Sequence, residues 1–163
     1  MEWEWAKAWA RAARWRLAWR MPGKEPRVGA GASRAERGAF GEAVAARRLR
    51  KLGYRQVRRN WRAGRDEIDL VCRDGPVLVF VEVRARDENA LVSGAQSVTR
   101  KKKRALERAC KRYMSRMRRT PRHFRFDIVE VELRVDGSGA ARHFRNVPLF
   151  GKTYAPAPKP REI

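Results

Sequence analysis

The run Glu67-Ile68-Asp69-Leu70-Val71-Cys72, and after it Val77-Leu78-Val79-Phe80-Val81-Glu82-Val83-Arg84, constrains the fold of this chain more than any other stretch. Both runs are rich in β-branched and aromatic residues, and Arg73-Asp74-Gly75-Pro76 between them is a turn cluster. They predict two antiparallel strands. A four-residue connection would set Cys72 opposite Val77, Asp69 opposite Phe80 and Glu67 opposite Glu82. Side chains alternate along a strand, so Ile68, Leu70, Cys72, Val77, Val79, Val81 and Val83 share one wholly apolar face that must be core. The other face is apolar near the turn, at Val71, Leu78 and Phe80, and charged at its far end, at Glu67, Asp69, Glu82 and Arg84. Carboxylates gathered there repel one another unless a cation lies between them. A divalent metal and an arginine are the two candidates.

A length of 163 residues suits one domain with terminal extensions. Lys and Arg number 40 against 18 Asp and Glu, a formal charge of +22. That excess predicts a polyanionic partner, most simply nucleic acid, with a membrane surface as the weaker alternative. Charge alone does not separate a nuclease from an architectural protein. Cys72 and Cys110 lie far apart and read as small buried hydrophobes, with no disulfide framework or metal-ligand spacing. Neither a secretory signal nor an apolar span of membrane length is visible, which makes the expected compartment the cytoplasm.

Residues 1–32 form an extension, with Trp3, Trp5, Trp9, Trp15 and Trp19 set among Ala and Arg, then a Gly/Pro linker. An amphipathic Trp/Arg helix of this kind could rest on lipid, stack on bases or dock on the domain. Apart from that helix, no membrane contact is expected. The domain is expected over residues 33–147. Ser33-Arg34-Ala35-Glu36 is a capping box, Ala39, Phe40, Ala43, Ala46, Leu49 and Leu52 recur at helical spacing, and Gly53 follows the C-cap. Strands are expected over Tyr54 to Trp61, across the hairpin, over Phe124 to Leu133 and, at an edge, over His143 to Val147. A second helix from Ser97 to Met117 has Leu106, Ala109, Cys110, Tyr113 and Met114 inside, and a basic outer face and first turn. From Pro148 the chain reads as a Pro-rich, unstructured tail over residues 148–163. The order α-β-β-β-α-β(-β) defines an α/β protein with helices flanking a sheet.

Phosphodiester hydrolysis needs a metal that polarises the phosphoryl group and activates water. Mg²⁺ takes a few carboxylates and keeps waters for substrate to displace. Asp69 and Glu82, on adjacent strands and the same face, are suited to share one ion. Arg84 points to the same side, and Glu42 reaches the site if the first helix covers that end of the sheet.

The blocks Gly38-Ala39-Phe40-Gly41-Glu42-Ala43-Val44-Ala45, Leu52-Gly53-Tyr54, Arg59-Asn60-Trp61-Arg62, Glu67-Ile68-Asp69-Leu70-Val71 and Val79-Phe80-Val81-Glu82-Val83-Arg84-Ala85-Arg86 resemble the YraN family. The resemblance continues through Ser97-Val98-Thr99 and Arg125-Phe126-Asp127-Ile128-Val129 and covers about residues 37 to 132. It implies a restriction-endonuclease-like fold similar to that of Holliday-junction resolvases, and a PD-(D/E)xK-type site. In that site Asp69 is the paired acid, Glu82 the second acid and Arg84 stands at the lysine position. Glu42 matches the helix glutamate, and Lys101 or Lys102 the helix lysine. The implied activity is a metal-dependent endonuclease acting on DNA, branched or structured substrates included, with Mg²⁺ or Mn²⁺ on Asp69 and Glu82. Resolvase-like relatives often act as dimers, so a homodimer is an implied assembly. Two departures stand out: Asp66 replaces the family's usual glycine, and Arg84 replaces the lysine of the nuclease motif. Arginine stays protonated and cannot serve as a general base.

The alternative function is a catalytically inactive nucleic-acid-binding module on the same scaffold. Its structural counterpart is an ion network in which Asp69 and Glu82 pair with Arg84, Arg65 or Arg86. Nucleic acid is expected on Arg100, Lys101, Lys102, Lys103, Arg104 and Arg108 in either case. Asp127 reads as a structural acid paired with a nearby arginine, and His123 and His143 as isolated surface residues.

Overall fold

The computed structural model describes residues 25–88, 98–151 and 154–155. The proposed Trp/Arg helix, Ser97 and the end of the tail lie outside the described residues. Helix α1 spans Arg34–Lys51, opened by Ser33, whose side chain accepts from the Glu36 amide while the Glu36 carboxylate accepts from the Ser33 amide. It closes at Leu52, and Gly53 follows at φ 87°, where a Cβ would be strained. Strands β1 (Arg55–Ala63), β2 (Asp66–Asp74) and β3 (Val77–Asp87) follow, then α2 (Arg100–Ser115), β4 (Phe124–Leu133) and β5 (Gly139–Phe144).

The sheet order is β1-β2-β3-β4-β5. Only β3 and β4 pair in parallel, and α2 is the crossover that such a pair requires. Helix α1 covers one face, where Phe40, Ala46 and Leu49 pack on Leu70, Cys72, Val79, Val81, Val129 and Val131. Helix α2 covers the other, where Leu106, Ala109, Cys110 and Met114 pack on Ile68, Val71, Leu78, Phe80 and Ile128. Each fully buried aliphatic or aromatic side chain here stabilises the fold by roughly 1.5–3 kcal/mol. Both cysteines are buried and free, as their apolar spacing predicted. Among the described residues no helix is long and apolar enough to cross a membrane.

Several expectations are corrected. The hairpin turn holds two residues, Gly75 and Pro76, because Asp74 pairs with Val77 and Gly75 adopts φ 56°. Ile68 does not share the face of Leu70. Asn60 adopts φ 46°, and between the pairs Arg59↔Leu70 and Trp61↔Ile68 the side chains change sides, so Ile68 and Trp61 join the α2 cluster. Strand β1 runs on to Ala63, and β5 starts at Gly139 rather than His143. The first part of the expected tail is packed: Val147, Leu149, Phe150 and Tyr154 lie against the α2-side core. Phe150 meets Phe124 edge to face at 4.9 Å and stacks with Tyr154 at 5.7 Å, giving this segment a packing reason to stay.

Candidate active site

The shorter turn moves β2 by two residues against β3, which keeps each side chain's face but changes its neighbour. Leu70 pairs with Val81, so one step further Asp69 comes level with Glu82 rather than Phe80. Beyond that pair the backbone ladder stops, and Asp69 takes its place: Oδ2 accepts a hydrogen bond from the Val83 amide at 2.7 Å. Glu82 points to the α2 side and is only 3% exposed. Its Oε1 lies 3.2 Å from Lys102 Nζ and 3.7 Å from Arg84 Nη1. Its Oε2 is buried and has no hydrogen-bond partner among the described residues.

Burial, then the Asp69 charge, push the Glu82 carboxyl up to about 7, against the pull of Lys102 and Arg84. Asp69 is also raised, by burial foremost, although the Val83 N–H and Lys102 favour its charged form. Glu42 reaches the same place from α1. Gly41 beside it allows the approach, since a Cβ there would stand 2.8 Å from the Ala85 Cβ. Glu42 Oε2 lies 3.4 Å from Arg59 Nη2, and burial followed by the Asp69 charge raises its pKa. Glu42, Asp69 and Glu82 therefore belong to one electrostatic cluster, with Asp69 in the middle.

Among the described residues no group of three or more His, Cys, Asp or Glu side chains is arranged to hold a metal. The residues that would hold an ion are Asp69 and Glu82, two carboxylates whose pKa values are both raised, by burial foremost. A hard cation such as Mg²⁺ needs only one or two carboxylates and fills its remaining positions with water and substrate. An oxygen atom without a donor, beside a second carboxylate, fits that need.

Helix α2 divides its basic residues. Lys102 turns inward to Glu82, while Arg100, Lys101, Lys103 and Arg104 are exposed. Lys102, not Lys101, is thus the helix lysine at the acids. Arg108 is committed elsewhere, donating from Nε and Nη2 to Asp66 at 3.0 and 2.9 Å. Asp66, the departure at the edge of the site, is held below the usual carboxylate range by that bidentate bond, with Arg112 at 4.0 Å adding to it. It clamps α2 to the β1–β2 turn and adds no free charge.

Sequence reasoning missed two residues. Glu130 is 2% exposed, level with Arg84 across β3–β4, and paired with Arg86. Alternation from Phe126 and Ile128 was the available signal. His143 is no surface residue: its side chain is 6% exposed and Nε2 lies 2.9 Å from Asp127 Oδ2. Asp127 is the structural acid expected, bound by Arg125 Nε at 3.0 Å, and His123 is exposed.

A five-stranded mixed sheet between two helices, with acids meeting across its second and third strands, defines a restriction-endonuclease-like α/β protein. Residues 41–131 match the family described as uncharacterised protein family UPF0102. The chain belongs to that family, which is the YraN family. A UPF0102 protein of Beutenbergia cavernae is 41% identical over 110 residues, 68% of this chain and 93% of the relative. One of Symbiobacterium thermophilum is 42% identical over 109 residues, 67% and 92% of the two chains. One of Frankia alni is 38% identical over 108 residues, 66% and 90%.

Proposed function

We propose that this protein is a metal-dependent endonuclease that cuts nucleic acid, DNA above all, with Mg²⁺ or Mn²⁺ held by Asp69 and Glu82. The observation that carries this reading is the buried Oε2 of Glu82, beside Asp69 and without a donor among the described residues. A structural acid this deep would be expected to have its oxygens satisfied. When bound, the ion would polarise the phosphoryl group and lower the pKa of an attacking water. Asp69 is fixed for its part by the Val83 amide, and Lys102 steadies Glu82 through Oε1 while leaving Oε2 free. Arg84, about a third exposed, is suited to contact a substrate phosphate, because a guanidinium is a fork of donors and not a general base. Glu42, with its raised pKa, is suited to hold a proton near the cut. The net charge of +22 supports a polyanionic substrate.

The test is cleavage of branched, single-stranded and duplex DNA with Mn²⁺. Wild type should cut at least one substrate, and Asp69→Asn should fall to background on it. Equal inactivity of both proteins on every substrate ends the enzyme reading. A second reading, a catalytically silent nucleic-acid-binding module, is favoured by the two cations already beside Glu82 Oε1. It predicts no calorimetric signal for divalent metal, and unchanged DNA affinity in Glu82→Ala.

A further inference from the structure

A regular strand would place Arg55 and Arg58 on opposite faces, because side chains alternate. Strand β1 is not regular. Its register against β2 slips between Gln56 and Arg58, so Arg55 pairs with Arg73 and Arg58 with Val71. Val71 belongs to the α2-side core, and Arg73 is two residues further along the same strand. Arg55, Arg58 and Arg73 therefore all rise on the α2 side. The left-handed residue Asn60 then brings Trp61 to that side as well. Arg116, at the C-cap of α2, completes the group with its guanidinium carbon 5.5 Å above the Trp61 ring. Tyr113 closes the floor, edge to face with Trp61 at 5.2 Å.

This cluster lacks compensating acid. Residues 55–65 hold five arginines and no carboxylate, and residues 108–119 are likewise basic without an acid. Arg55, Arg58 and Arg116 are exposed. None of the four arginines forms an ion pair with a carboxylate among the described residues. The Tyr113 phenol lies in the same field: burial raises its pKa, against the pull of the Arg58 and Arg73 charges. Arg73 donates from Nη1 to the Pro76 carbonyl at 3.2 Å, which holds it in place, and Arg116 lies over the Trp61 ring. Guanidinium groups without a carboxylate partner suit phosphate oxygens, which they bind without regard to sequence.

We infer that Arg55, Arg58, Arg73 and Arg116 form a second phosphate-binding surface that grips the backbone of a duplex away from the Asp69–Glu82 pair. Its distance from the cut rests on the nuclease reading; its binding of duplex does not. Lys102 at the acids and Arg116 lie 14 residues apart along α2, which is about 21 Å at helical rise. That span equals roughly six base-pair steps at ~3.4 Å each. The duplex thus lies along the helix, held at both of its ends.

The test uses the full chain, a fluorescein-labelled 24-base-pair duplex, EDTA and a NaCl series read by anisotropy. The triple variant Arg55→Gln, Arg58→Gln, Arg116→Gln should lower the slope of log affinity against log salt by about 2 to 3. A control triple, Arg48→Gln, Lys51→Gln, Arg142→Gln, removes equal charge from exposed positions on α1 and β5 and should leave the slope unchanged. Urea melts establish that both triples stay folded. Equal slopes in the two triples, or no binding of duplex by wild type, overturn the surface. Equal weakening toward poly-glutamate or phosphatidylserine vesicles overturns its assignment to nucleic acid. Wild type that binds duplex but never cuts removes the nuclease reading and leaves the surface standing.

Discussion

Two buried carboxylates one strand apart meet opposite fates. Asp127 on β4 is level with Val81, and Glu82 is the next residue along β3, directed to the other face. Asp127 is 0% exposed, yet Arg125 Nε donates to it at 3.0 Å, the Asn146 amide at 2.9 Å, and His143 Nε2 lies at 2.9 Å. Burial pushes its pKa up, but these partners outweigh it and hold the carboxyl below its usual range. Glu82 is almost as buried and, among the described residues, has cations beside Oε1 and no donor at Oε2, so burial and then the Asp69 charge raise its carboxyl to about 7. Depth does not decide whether a carboxylate is structural or chemically available. The supply of donors does.

The largest effect expected from this contrast is on stability. Asp127→Ala takes the shared acceptor away from Arg125 Nε and His143 Nε2 and should cost about 3–5 kcal/mol in urea unfolding, whereas Glu82→Gln removes an undersupplied acid and should stabilise the metal-free protein at pH 7. Similar losses in the two variants would erase the distinction.

Next in size is the pH dependence. The folded-state pKa of Glu82 is raised from 4.5 to about 7, so the folded state binds more protons than the unfolded chain across that window. Its contribution is fully present below about pH 4.5 and is lost as pH rises through 7, a change of about 3 kcal/mol. Unfolding free energy of metal-free protein should therefore fall between pH 5 and 8, and Glu82→Gln should flatten the curve. Mn²⁺ should restore stability at pH 8 in wild type only. For Asp127 the sign reverses: its lowered pKa gives stability that fades as pH falls into the acid range. A flat metal-free profile from pH 5 to 8 in wild type would break the comparison.

The smallest expected effect lies at the rim of the Asp127 network. Tyr54 Oη accepts from Arg125 Nη2 at 2.6 Å. Tyr54→Phe should cost about 1 kcal/mol, and it should leave metal binding at Asp69–Glu82 untouched by calorimetry.

Local chemistry made much of this legible. The Ser33–Glu36 box and Gly53 mark α1 correctly because caps are set within a few residues. The span of β4 was visible from Phe124 to Leu133 for the same reason. The level of the hairpin was not, because turns of two and of four residues preserve the same faces and differ only in which residues come opposite. Ile68 was misplaced because nothing near it announces the left-handed Asn60 on the neighbouring strand. Phe150 and Tyr154 looked like tail because their partners, Phe80, Phe124 and Lys111, lie far back along the chain.

The amino-acid order by itself determined that acids would gather at one end of an apolar hairpin, that helices would flank a sheet, and that the whole would be strongly cationic. Only the tertiary structure decided which acids are saturated and which are starved. Arg125, His143 and Asn146 come to Asp127 across a sheet, and Lys102 comes to Glu82 from a helix. Protonation and metal affinity follow from donors and burial at a point in space, and neither is written in the spacing of the acids themselves.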